Sequence, residues 1–292
     1  MLFYLFLEVR VKNMKNVLSI AGSDCSAGAG IQADLKTFVA NGVYGMTVIT
    51  SLTAQNPQKV KMLEDVSIEM LEKQIEAIFD VMEVSAVKIG MLNSKENGET
   101  IYDELLKYKA RNIVLDPVMI ATSGNSLIRE ETKKFLVNEL FKIADIITPN
   151  LDETKEIVKI ILNKENIEDI DSIEKMKIYG KIIADFTKKW VLIKGGHLSN
   201  SAVDILINSD EKYILNGEKI SSNNTHGTGC SLSSAIASNL AKGYTMLEAV
   251  KKGKNFVLFS IKNSNSIDFG KLNGTVNQMG EIYKNIDIEK LY

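Results

Sequence analysis

Cysteine is scarce in this 292-residue chain, which has only Cys25 and Cys230. Two cysteines cannot build a disulfide framework, and so few suit a reducing compartment, so a cytoplasmic location is expected. Histidine is as rare: His197 and His226 are too few to support a zinc cluster. Proline occurs only at Pro57, Pro117 and Pro149. No Gly/Pro-rich linker divides the chain, so a single domain over 14–292 is expected. Neither sign of charge dominates, since 35 basic and 37 acidic residues leave a net charge of −2. That balance favours neither nucleic acid nor an anionic membrane as a partner. The apolar stretch MLFYLFLEV is too short to span a bilayer and lacks the features of a secretory signal. Residues 1–13 read as a dispensable extension or an upstream start, with an added edge strand or a membrane anchor as alternatives. Internal repeats, low-complexity tracts and heptads are absent as well.

What is present is a core-forming composition, 45% hydrophobic, arranged in alternating short and long segments. VLSIAG (17–22), MTVITSLTAQ (46–55), AVKIGML (86–92), NIVLDPVM (112–119), DIITPN (145–150) and WVLIKGG (190–196) read as buried strands. Between them lie helical patterns over 30–42, 66–82, 96–110, 129–144 and 170–189, with Asp65 the expected N-cap of the second. VDILINSDEKYILNGEKI reads as a polar hairpin, and two helices, 231–242 and 246–261, close the pattern. Repeated strand–helix alternation predicts a doubly wound α/β fold with a mostly parallel central sheet. Ligands of such sheets gather beyond the carboxyl ends of the strands. The polar, glycine-rich pieces GSDCSAGAG, TAQNP, IGM, DPVM, TPNLDE and KGGH each follow an apolar run.

Neither standard nucleotide fingerprint is present. No G-x-x-x-x-G-K-[ST] occurs, and Gly28-Ala29-Gly30 is followed by Ile31, Gln32 and Ala33 rather than completing G-x-G-x-x-G. The GSDCSAGAG glycines make either a tight turn or a ligand contact, with Asp34 one helical turn further on, where a carboxylate could accept hydrogen bonds from a polar ring. Asn150 and Glu153 share a face if a helix begins there. They suit either Mg²⁺ bound through water or ordinary helix capping. Lys194 ends a strand, from which it could reach phosphate oxygens or simply face solvent. The sharpest local signal is HGTGC (226–230). Gly227 and Gly229 permit a nest of N–H groups, the following helix adds its N-terminal field, and a thiolate is favoured at Cys230. A glycine turn with a small buried cysteine is the plainer alternative.

Together SIAGSDCSAGAGIQADLKTF (19–38), YGMTVITSLTAQN (44–56), KIGML (88–92), NIVLDPVM, ITPNLDE (147–153), LIKGGH (192–197) and NTHGTGC (224–230) resemble the ribokinase superfamily. They are most similar to its hydroxymethylpyrimidine/phosphomethylpyrimidine kinases of thiamine biosynthesis. The resemblance implies a ribokinase-like three-layer α/β/α sandwich, usually a homodimer, using ATP and Mg²⁺. It implies phosphorylation of 4-amino-5-hydroxymethyl-2-methylpyrimidine to the monophosphate and then the diphosphate. It assigns Asp34 and Gln55 to the pyrimidine, with Gly22, Met91 and Val118 around it. It assigns Asn150 and Glu153 to Mg²⁺ and phosphates, through water, and Lys194 and Thr225 to ATP. By the same resemblance Gly227, Thr228, Gly229 and Cys230 would form the anion hole, with Cys230 at the catalytic-base position. Cys25 stands where such kinases often have proline, Pro57 follows Asn56 where they often continue with threonine, and FGKLNGTVNQM matches their glycine-rich ending only loosely. Pyridoxal/pyridoxine kinase activity is the near alternative, and a cysteine hydrolase built on Cys230 a more distant one.

Overall fold

The computed structural model describes residues 13–119, 128–196, 198, 202–267, 274–280 and 282. The expected extension at 1–13 lies, apart from Asn13, outside the described residues, as does His197.

The first half of the chain runs β1 (Asn16–Asp24), α1 (Gly30–Ala40), β2 (Tyr44–Asn56), β3 (Lys59–Asp65), α2 (Ile68–Phe79), β4 (Ala86–Ile89), α3 (Lys95–Lys107) and β5 (Ile113–Leu115). Next come α4 (Glu130–Phe135), a π-helical turn (Leu136–Leu140) and α5 (Phe141–Ile143), which together fill the expected helix at 129–144. The remainder is β6 (Ile146–Ile147), α6 (Leu151–Leu162), α7 (Ile173–Thr187), β7 (Trp190–Ile193), β8 (Asp204–Ile207), β9 (Lys212–Leu215), α8 (Thr228–Ala241) and α9 (Met246–Lys262).

Among the described residues nine strands form one sheet, in the order β3-β2-β1-β4-β5-β6-β7-β8-β9. The pairs from β2 through β7 are parallel. β3 at one end and the β8–β9 hairpin at the other run antiparallel. Alternate side chains enter opposite layers. Leu18, Ile20, Val87, Ile89 and Ile147 pack with α2 through α7, whereas Val17, Ala86, Val114 and Ile146 pack with α1, α8 and α9. Both faces are covered, which is why these strands read as continuous apolar runs. Each fully buried Leu or Ile contributes about 1.5–3 kcal/mol. The expected three-layer, mostly parallel α/β fold is the fold observed.

Three local expectations differ from the structure. β3 was not foreseen: KVKMLED is charged at both ends, as edge strands commonly are, so its apolar positions are few. Pairing with β3 carries β2 one residue past the expected strand end at Gln55, so Asn56 belongs to a hairpin rather than to a loop after the strand. The N-cap of α2 is Ser67, whose hydroxyl accepts from the Met70 N–H, and not Asp65, which ends β3.

Candidate active site

β1 lies between β2 and β4, so successive connections leave it in opposite directions. Such a reversal opens a crevice beyond the carboxyl ends of the strands. Asp24, Gly90, Asp116, Thr148 and Lys194 stand at or just past the ends of β1, β4, β5, β6 and β7.

Two loops meet there, backbone against backbone. Gly30 has φ +57°, and a Cβ on it would lie 2.3 Å from the Gly22 carbonyl oxygen. Gly227 has φ +82°, and its Cβ would lie 1.9 Å from the Gly28 carbonyl oxygen. Only glycine is accommodated at either place. Asp24 organises the first loop. Its Oδ1 accepts from Ser26 N and Oγ, and its Oδ2 from Gly28 N and Ala29 N. His226 Nε2 lies 3.1 Å from the same Oδ2 and ties the second loop to the first. Burial alone would raise the Asp24 pKa, yet the bonds from His226, Ser26 and Ala29 hold it well below the usual carboxylate range. The chain then enters α8 with no side chain capping its N-terminus. The remaining N–H groups of its first turn, with the positive end of the helix, suit an anion. Thr228 instead bonds inward, its N–H and Oγ both donating to the Thr225 carbonyl.

Beside this nest lies a group of buried charges. Lys194 Nζ donates to Asp116 Oδ1 at 2.8 Å and stands 3.9 Å from Glu153 Oε2. Thr148 Oγ1 also donates to Asp116 Oδ1, at 3.0 Å. A Cβ on Gly229 would come within 3.2 Å of Asp116 Oδ2 and 3.4 Å of Lys194 Nζ. Burial works against the Lys194 charge, but Asp116 and Glu153 outweigh it and raise the lysine's pKa. Two carboxylates therefore share one ammonium. Burial, helped by Asp116, pushes Glu153 up to about 7 although Lys194 draws it down. Carboxylates that outnumber the one ammonium between them suit a further cation. Asn150 and Glu153 also form a full capping box on α6: Asn150 Oδ1 accepts from Glu153 N, and Glu153 Oε2 from Asn150 N, each at 2.8 Å. The capping alternative is thus realised, and Mg²⁺ fits these two residues only through water, with both N–H bonds kept.

Glu153 carries a consequence for stability. A carboxyl raised from 4.5 to about 7 in the folded protein keeps its full stabilising share below pH 4.5 and loses it as pH rises through 7. At 1.36 kcal/mol per unit the loss is roughly 3 kcal/mol. Glu153→Gln has no such titration. In metal-free protein its Tm relative to wild type should climb by several degrees between pH 5 and pH 8. Parallel melting curves across that range would contradict the assignment.

Other expected residues are distributed as follows. Gly22 is buried, and a Cβ on it would meet Met91 Cε at 2.7 Å, which brings these two together. Met91, Val118 and Gln55 are half-buried near the ends of β4, β5 and β2. The Gln55 carbonyl accepts from Cys25 Sγ at 3.1 Å. Thr225 is exposed just before the nest.

Asp34 does not present its carboxylate to an open crevice. It is wholly buried: Oδ1 accepts from Ser234 Oγ at 2.7 Å, and Oδ2 from Ser19 Oγ at 2.5 Å and Lys88 Nζ at 2.8 Å. The expected thiolate at Cys230 is also not favoured. Burial pushes this thiol up to about 11, against the pull of Lys88 and the Gly30 N–H, and Asp34 and Asp116 push the same way. Desolvation outweighs the helix N-terminus. His226 turns its Nε2 toward Asp24, a poor arrangement for a Cys–His hydrolase.

Sequence reasoning passed over Asp116, Lys88 and Asp24. Each lay inside a quoted segment, and the signal was a charge within or directly after an apolar strand run, where charges are rare unless paired.

An uncapped helix start, an adjoining lysine–carboxylate group and a crevice at a sheet reversal suit an enzyme that handles phosphate groups. The phosphomethylpyrimidine kinase family model matches residues 24–277. The hydroxymethylpyrimidine/phosphomethylpyrimidine kinase of Rhizobium meliloti is 41% identical over 268 residues, spanning 91% of this chain and 98% of the relative. The crystal structure of phosphomethylpyrimidine kinase from Clostridium difficile is 44% identical, with a TM-score of 0.73 over 83% of this chain and 97% of that one. Bacillus subtilis pyridoxal kinase, in an ADP complex, is 32% identical with a TM-score of 0.83 over 91% of this chain and 98% of that one. The chain belongs to the phosphomethylpyrimidine kinase family. Among the described residues no helix is long and apolar enough to cross a membrane.

Proposed function

We infer that this chain, as a single kinase domain, uses ATP to phosphorylate 4-amino-5-hydroxymethyl-2-methylpyrimidine, and then its monophosphate, for thiamine biosynthesis. The carrying observation is the adjacency of the α8 nest to the Lys194–Asp116–Glu153 group, with Gly229 between them. In the first step the hydroxymethyl oxygen attacks the γ-phosphorus, the bond to the β-phosphate oxygen breaks, ADP leaves, and the hydroxyl proton passes to solvent or a protein group. In the second step a phosphate oxygen of the monophosphate is the attacking atom.

Charge neutralisation and alignment supply most of the rate. Gly227, Thr228, Gly229 and Cys230 surround the transferred group, with Lys194 and Thr225 toward ATP. Glu153 and Asn150 would hold Mg²⁺ through water, and the ion would supply charge neutralisation at the phosphates when bound. Gln55, Met91, Val118 and Gly22 enclose the ring, while Asp34 acts from beneath through Ser234. Burial pushes the Cys230 thiol up to about 11, so little of it is thiolate at neutral pH. Proton abstraction is therefore a minor contribution. A cytoplasmic homodimer without nucleic-acid or membrane partners completes the reading.

The second reading is a pyridoxal kinase, favoured by the close superposition on the Bacillus enzyme. Side-by-side kcat/KM values for hydroxymethylpyrimidine and pyridoxal separate the two. The pyrimidine should be preferred by at least about tenfold, as expected when a polar site loses hydrogen bonds to the wrong ring. A reversed preference would move the assignment to pyridoxal.

A further inference from the structure

Lys88 sits within β4, and its side chain and that of Asp34 are both wholly buried, 2.8 Å apart. An ion pair costs several kcal/mol in lost hydration and is seldom more stable than apolar residues in its place. Its position beside the sheet reversal suggests another role. α1 and α8 face each other in matched turns, with Gly30 opposite Cys230 and, four residues on in both helices, Asp34 opposite Ser234. The Gly30 N–H bonds to the Cys230 sulfur, and Ser234 Oγ bonds to Asp34 Oδ1. Lys88 Nζ and Ser19 Oγ secure the other carboxylate oxygen. A Cβ on Gly90 would meet Lys88 Nζ at 2.6 Å, so the ammonium extends toward the carboxyl end of β4, where the crevice opens.

We propose that Lys88 is a positioning residue for phosphoryl transfer, its ammonium anchored by Asp34 as the fixed counter-charge beneath Cys230 and the first turn of α8. The kinetic part of this proposal rests on the kinase reading above. The charged groups that act on Cys230 are Lys88 from β4, Lys194 from the end of β7, Asp34 from α1 and Asp116 after β5. Lys194 lies between two carboxylates, Asp116 and Glu153, whereas Lys88 has one, Asp34, as its salt-bridge partner. Water does not screen it, so the part of its charge that Asp34 leaves uncancelled stabilises negative charge developing above it without touching substrate.

The test follows the pH dependence of Cys230 alkylation by iodoacetamide, read by mass spectrometry in a Cys25→Ser background. Lys88→Gln, which keeps a donor for Asp34 but no charge, should raise the midpoint by about one unit, and Lys88→Arg should leave it within a few tenths. Asp34→Asn should lower it, because Asp116 still supports the lysine's charge. In turnover, Lys88→Gln should reduce kcat about tenfold with KM for ATP unchanged, since the group acts on the transition state and not on binding. Coincident midpoints for the Gln and Arg variants would overturn the proposal by showing that shape alone matters. An upward shift in Asp34→Asn would overturn it too, and that variant decides the question if the Lys88 variants do not fold. The alkylation arm needs no substrate, so a wrong substrate assignment leaves it intact.

Discussion

Gly227→Ala protein should lose turnover by a factor of about 10³, the upper range for losing an oxyanion donor. Gly227 is held at φ +82°, and an added methyl would stand 1.9 Å from the Gly28 carbonyl oxygen. The left-handed conformation alone costs an alanine about 1–2 kcal/mol. The larger effect is geometric. The backbone of either loop must retreat, and neither is free to do so: Asp24 pins Gly28 and Ala29, and it also holds His226, the residue before Gly227. Retreat turns the first N–H groups of α8 away from the transferred phosphoryl group. Steady-state turnover at saturating ATP, with a melting curve to confirm folding, provides the check. A folded variant with turnover within threefold of wild type would mean that the nest does not hold the reacting phosphate.

Lys194→Met should be nearly as damaging, for a different reason. It leaves Asp116 and Glu153, both almost fully buried, with no ammonium between them. Removing one partner of a buried ionic group costs about 3–5 kcal/mol. Glu153 escapes part of this cost by staying protonated. Its folded pKa already stands near 7 with Lys194 present and must rise further without it. The destabilisation should therefore be smaller at pH 5.5 and grow as pH rises through 7 and above. Activity should fall by about 10²–10³ at every pH if, as proposed, the lysine is also a point charge for phosphate oxygens. Denaturant melts at pH 5.5 and 8.5 test the first statement, and an equal loss at both would show that the three charges are not coupled as described.

The parts of the fold visible in the sequence were those written in hydrophobic spacing. β1, β4 and β7 are short apolar runs because both faces are covered, and α1 and α8 each follow a glycine-rich turn. β3 escaped notice because an exposed edge strand carries little apolar signal. Helix α6 was visible only conditionally, through Asn150 and Glu153. At the site, glycine spacing located the nest, since close backbone approach admits no other residue at Gly227. The roles of Asp34 and Cys230 were less legible, because both depend on burial, and burial is a property of the whole packing. A cysteine at a helix start has a depressed pKa only if water or cations reach it. A carboxylate one turn past a phosphate-type loop faces a ligand only if nothing beneath claims it first, and here Lys88, Ser19 and Ser234 do. Lys88 was readable in principle, as the lone charge in an otherwise apolar strand.

The most direct measurement is a time course with purified protein, ATP, Mg²⁺ and labelled hydroxymethylpyrimidine, resolving substrate, monophosphate and diphosphate. Among the described residues, one nest and one Lys194–Asp116–Glu153 group point to one site used in two turnovers. Free monophosphate should rise before diphosphate, and added unlabelled monophosphate should dilute label from the diphosphate. Diphosphate formed at once, with no exchangeable monophosphate, would contradict release between the steps. No ATP-dependent phosphorylation of the pyrimidine at all would contradict the functional assignment itself.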